Sequence, residues 1–127
     1  MVNVIASKDC GNSPKNLFLE KLTIAFAQRD TGFILSSVTP DIGWQLVGEK
    51  QIQGKEAFAV ALAQLAADSV VELTIHHVVT HGKAGAVNGT WTLVDGQTCA
   101  FCDVYEFNGA KASSVQQITS YVISIQP

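Results

Sequence analysis

From Val70 to Ile125 the chain is dominated by β-branched and aromatic residues, broken chiefly at Gly82-Lys83, Asp95-Gly96 and Asn108-Gly109. Glycine, asparagine and aspartate tolerate the backbone of tight hairpin loops, so each pair predicts a chain reversal. The runs between them, 70–81, 84–94, 98–107 and 114–125, predict four long antiparallel strands in series. Upstream of Asp68 the apolar period changes from 2 to 3.6. Ser13-Pro14 is a helix start, and Phe18, Leu22 and Phe26 follow at four-residue spacing, which predicts a helix over 14–29. Asp30 is placed to cap a short second helix through Phe33, Ile34 and Leu35. Thr39-Pro40-Asp41 reads as a turn and Ile42–Gly48 as a short strand. The alanine-rich run from Lys55, with Phe58, Leu62 and Leu65 on one face, predicts a helix to Asp68 that packs closely on a sheet. These elements imply an α+β fold, a cone-shaped curled antiparallel sheet closed by N-terminal helices with a pocket inside.

Composition narrows the setting. A chain of 127 residues fits one domain, 1–127, with 1–12 expected as a loosely ordered N-terminal segment. Its formal charge of −3 and scattered lysines give no basic stripe, so nucleic acid is not an expected partner. No charged leader or long unbroken apolar run is present, so the expectation is a soluble cytoplasmic protein with no membrane partner. Three cysteines are an odd number and argue against a secreted disulfide framework. Cys99 and Cys102 spell C-x-x-C inside a strand, where an odd separation sends them to opposite faces about 10 Å apart. They read as structural thiols.

The chemical content concentrates in Phe101-Cys102-Asp103-Val104-Tyr105-Glu106-Phe107. Strand geometry puts Phe101, Asp103, Tyr105 and Phe107 on one face. A carboxylate among aromatics is poorly solvated, so a cavity-facing Asp103 has its pKa pushed up and can serve as acid, base or hydrogen-bond donor. Its bland alternative is a buried aspartate satisfied by neighbouring groups. His76 and His77 point oppositely on a strand, and His77 and His81 lie about 13 Å apart, too far to share an ion. No metal site and no cofactor are expected. His77 shares strand parity with Leu73, Ile75 and Val79, which predicts that it faces the interior.

Helix, short helix, strand, helix and four long strands is an order that resembles the nuclear-transport-factor-2-like superfamily, which includes the SnoaL-like polyketide cyclases and the steroid ketoisomerases. The resemblance is carried by "DIGWQLVG" before "GKEAFAVAL", by "VDGQTCAFCDVYEF" after a Trp strand, and by the closing "ITSYVIS". It implies the cone fold, an apolar pocket and a homodimer built on the outer sheet face. Of the ketoisomerase groups, the general base falls on Gln45, an amide that cannot take up a proton. The oxyanion-hole tyrosine falls near Leu22, and only the oxyanion-hole aspartic acid has a match, at Asp103. The superfamily's epoxide hydrolases use an Asp–Arg–Asp relay, and the sole arginine here is Arg29. The same registry turns Gln45 inward and Trp44 outward; Trp44 and Trp91 are expected in wall or dimer contacts.

The expected protein binds a small apolar molecule deep in the cone, lined by Leu22, Gln45, Phe58, Leu62, His77, Phe101, Asp103, Tyr105 and Ile118. Two alternatives remain open at this point. One is a cofactor-free isomerase, cyclase or hydrolase that uses Asp103 as its catalytic proton-transfer group; the other is a protein-interaction module using the outer sheet.

Overall fold

The computed structural model describes residues 2–7, 13–65, 69–109 and 114–125. Helix α1 spans Pro14–Gln28, with the Ser13 hydroxyl accepting from the Asn16 amide at 3.1 Å. It ends at Arg29, whose left-handed backbone (φ 59°) lets its N–H turn back onto the last helical carbonyls. Asp30 then caps α2, Thr31–Ser36, by accepting from the Phe33 amide. Helix α3 runs Lys55–Leu65; the end expected at Asp68 lies outside the described residues.

The described strands are β1 (Asn3–Ala6), β2 (Val38–Leu46), β3 (Lys50–Gln53), β4 (Val70–His81), β5 (Ala84–Leu93), β6 (Thr98–Phe107) and β7 (Val115–Ile125). They form one curled, unclosed sheet in the order β1-β4-β5-β6-β7-β2-β3. The four long strands pair antiparallel in series, as their turn pairs predict. Three features differ from the expectation. Residues Asn3–Ala6, expected in a loose segment, pair parallel with β4. Lys50–Gln53, too polar to read as a strand, pairs antiparallel with β2 through a register that buries Ile52. Thr39-Pro40-Asp41 lies inside β2, where the ladder to β7 shifts register between Val38 and Gly43. Proline lacks an N–H and is tolerated at such an irregularity.

Helix α1 lies directly on the concave face. A Cβ at Gly85 would collide with the Leu19 side chain, so glycine there sets how closely helix and sheet approach. Gly89 plays the same part within the sheet, because a Cβ there would run into the Thr74 carbonyl. That contact sits beside a register shift in β4 between Ile75 and His77. Such a shift bends the strand and changes which side chains face inward.

Candidate functional site

Helices α1 and α3 do not fill the bowl. They leave a cavity of ≈ 440 Å³, a size suited to a small molecule. Strand alternation supplies much of its wall: Cys99, Phe101, Asp103 and Tyr105 from β6, and Ile118, Ser120 and Val122 from β7. On one side Trp91 stacks on Phe101 with ring centroids 5.3 Å apart. On the other, Trp44 meets Phe26 at 5.7 Å and Phe58 at 5.4 Å. Each edge-on or tilted contact adds about 0.5–1.5 kcal/mol beyond its buried area.

Four polar groups break this apolar lining at depth. Asp103 opposes Ser120 in the β6–β7 ladder. Protein surrounds its carboxyl, with part of the residue accessible from the cavity; burial pushes its pKa up to about 6, against an opposing pull from the neighbouring Ser120 hydroxyl. Ser120 Oγ also accepts from Trp44 Nε1 at 2.9 Å. Two residues along β6, Tyr105 is 0 % exposed and its hydroxyl has no hydrogen-bond partner. Burial, reinforced by the negative charge of Asp103, raises the phenol well above its ordinary pKa. The Thr23 hydroxyl has a small opposing influence, but its own hydrogen goes to the Leu19 carbonyl at 2.8 Å and it does not meet the phenol in hydrogen-bonding geometry. An unsatisfied buried hydroxyl costs about 1–3 kcal/mol. The wall therefore carries a titratable acid and an uncommitted donor side by side.

The residues expected to line the pocket divide. Phe101, Asp103, Tyr105 and Ile118 line it. Leu22, Phe58 and Leu62 are buried core residues, but Thr23, Phe26 and Ala61 present themselves to the cavity from the same helices instead. Gln45 and Trp44 are reversed. Trp44 is 6 % exposed and faces inward opposite Ile118, while Gln45 opposes Thr119 and lines a polar cleft on the outer face. The apolar alternation Ile42, Trp44, Leu46 is the signal in the sequence that gives the observed parity. His77 is also outside: the register shift after Ile75 gives the inward position to Val78, and His77 is exposed with Nδ1 3.0 Å from Asn88 Oδ1. Trp91 lines the cavity too, and Ser120 was missed because a serine in a strand carries no signal by itself.

The model of the SnoaL-like domain family matches residues 19–115, from within α1 to the first residue of β7. The chain belongs to the SnoaL-like domain family. Solved structures agree in fold. A candidate ketosteroid isomerase from Kribbella flavida has a TM-score of 0.74 at 16% identity, covering 89% of this chain and 80% of that one. An LEH-like epoxide hydrolase from M. tuberculosis has a TM-score of 0.71 at 20% identity, covering 84% and 80%. An NTF2-like protein of unknown function from Burkholderia xenovorans has a TM-score of 0.73 at 14% identity, covering 89% and 85%. At these identities the likeness is one of fold. No curated protein matches the chain significantly.

Elsewhere in this SnoaL-like domain, no three His, Cys, Asp or Glu side chains among the described residues converge as metal ligands. None of its described helices is long and apolar enough to cross a membrane. Cys99 is buried on the cavity wall and Cys102 lies on the opposite face of β6, both as free thiols. Cys10 falls outside the described residues.

Proposed function

We propose that this SnoaL-like domain binds a small, largely apolar molecule whose polar end reaches Asp103 and Tyr105. The observation that carries the reading is the buried, unpartnered Tyr105 hydroxyl beside a carboxyl whose pKa lies near neutrality. Protein interiors satisfy their polar groups, and a ligand oxygen between these two side chains would do so. Phe101, Trp91, Trp44 and Ile118 then supply apolar contact, and no cofactor is required for binding. The neutral fluorophore N-phenyl-1-naphthylamine tests it. Saturable binding of one probe per chain, abolished by the cavity-filling Ile118→Trp, is expected. The reading fails if the probe does not saturate and denaturing mass spectrometry of the purified protein releases no small molecule.

A catalytic reading is favoured by the same carboxyl. A group titrating near 6 exchanges protons readily at physiological pH, which suits a cofactor-free isomerase, cyclase or hydrolase. On that reading Asp103 is the catalytic residue, and Asp103→Asn removes turnover of a substrate while retaining its binding. The outer sheet face supports a further proposal, a homodimer. Tyr121 is 48% exposed and Ile123 69% exposed on β7, beside Ala100, Cys102 and Val104 of β6, and a second copy would cover them.

A further inference from the structure

The cavity has a closed end and an open one. Thr23, Tyr105 and Ile118 on its lining are buried, whereas Glu49, Lys50, Gln64 and Gln97 on the same lining are exposed. Strand β6 gives the scale. The four residues from Asp103 back to Cys99 carry the wall about 13 Å toward the opening, at about 3.3 Å per residue. A molecule whose polar end lies against Asp103 and Tyr105 therefore has room to reach the rim with its other end.

The charge of that rim runs against the charge of the chain. The protein carries a formal −3, yet Arg29 and Lys50 line the opening with Glu49 as the one acid beside them, and the other lining acid, Asp103, lies at depth. Gln64 and Gln97 add amides that can donate. Lys50 is set there by strand pairing: it opposes Leu46, which also lines the cavity, and cross-strand partners share a face. Arg29 is set there by the end of α1. It is the only non-glycine among the described residues with positive φ, at 59°, a conformation in which glycine is unstrained and a longer side chain is not. Its Nη1 donates to the Phe26 carbonyl at 2.7 Å, and Phe26 itself is part of the cavity wall. Attraction to the last carbonyls of a helix is the ordinary reason for a cation at such a place. Here the same contact fixes a guanidinium at the mouth of a cavity that has a second cation on its rim.

We propose that the ligand is an elongated amphiphilic acid, its carboxylate or similar oxyanion held at the mouth by Arg29 and Lys50, its apolar body along Trp91 and Phe101, and an uncharged polar group at the closed end. The inference rests on the binding reading above and names the ligand class for that site. Orientation follows from the lining: the closed end carries a carboxyl, which repels an anion, and the mouth carries the cations. An arginine fork matches the two oxygens of a carboxylate, and each such hydrogen bond is charge-assisted. Glu49 opposes the anion and is outnumbered.

The matched pair 10-hydroxydecanoate and 1,10-decanediol, which differ at one end only, tests this by displacing N-phenyl-1-naphthylamine near neutral pH. In the wild type at low salt the hydroxy acid should bind about tenfold tighter than the diol or better, the worth of a charge-assisted contact. Added salt should narrow that margin, because charges at a solvent-facing rim are screened. Arg29→Gly suits the left-handed backbone while removing the guanidinium. It should cut the preference for the acid by about fivefold or more and change the affinity of the diol by less than about twofold, a split that loss of a merely structural contact would not produce. Lys50→Gln should cut the preference by less, and Glu49→Gln should widen it. Equal affinities for acid and diol in the wild type overturn the proposal and leave the cavity reading standing, since the diol still binds. An Arg29→Gly loss shared equally by acid and diol also overturns it, as does a saturably bound probe that neither compound displaces. If Arg29→Gly fails to fold, Lys50→Gln and Glu49→Gln decide the matter, and a preference unmoved by both overturns the proposal. If the probe does not saturate and neither compound binds by calorimetry, the binding reading falls and this one with it.

Discussion

The two faces of strands β6 and β7 are built from alternate residues of the same backbone, yet they solve opposite problems. Inward, Phe101, Tyr105 and Ile118 form a buried wall into which Asp103 and Ser120 insert polarity. Outward, Cys102, Val104, Tyr121 and Ile123 place apolar and half-polar groups where water reaches them. A fold optimised for stability alone would exchange these features, putting the acid outside and the isoleucine inside. Retaining a desolvated acid and an unbonded phenol within the core costs free energy, as binding and catalytic sites commonly do. The comparison therefore sets the desolvated acid and the unbonded phenol on the inner face and the candidate assembly surface on the outer one.

Substitutions on the two faces should differ in size and even in sign. The largest effect is expected at Phe101→Ala, which removes a buried ring from the Trp91 stack and should lower unfolding free energy by about 3–4 kcal/mol in urea titrations. A loss below 1 kcal/mol would mean that the inner wall is not a packed surface.

Asp103→Asn should act in the opposite direction. The folded-state pKa of about 6 lies above the ordinary value of 3.8, so the wild type holds this contribution fully below about pH 4 and loses it as pH rises through 6. At pH 8 the asparagine variant should therefore be more stable than the wild type by up to about 3 kcal/mol, and near pH 4 the two should converge. Urea unfolding at the two pH values measures the difference. Equal stabilities at pH 8 would place the carboxyl in effective contact with water.

Tyr105→Phe removes a hydroxyl with no partner, and a gain of about 1 kcal/mol is expected in the same assay. A loss instead would show that the hydroxyl is bonded, for example through an internal water. The smallest effect belongs to the outer face. Ile123→Ser should change the stability of an isolated chain by no more than about 0.5 kcal/mol, while analytical ultracentrifugation should show a dimer in the wild type and a monomer in the variant. A wild-type monomer at micromolar concentration would end the assembly proposal.

Local signals in the sequence determined the four long strands, their turns and the parity of β6. Alternation there is unbroken from Thr98 to Glu106, and the Cα pairings to both neighbours follow it residue by residue. The helix starts were equally local, since Ser13 and Asp30 cap within three residues of themselves. Strand β4 escaped this logic, because the shift after Ile75 turned His77 out to solvent, whereas in β2 the alternation of Ile42, Trp44 and Leu46 puts Trp44 inward and Gln45 outward, against the registry that the family resemblance implies. A period-2 reading carries no information about an inserted residue, because a register shift arises from the fit between two ladders rather than from either strand alone. The meeting of Trp44 with Ser120 across 76 residues of sequence likewise depends on how two ladders fit together. Only the pairing of β2 with β7 brings the indole of Trp44 onto the hydroxyl of Ser120, beside the carboxyl-bearing Asp103 of β6.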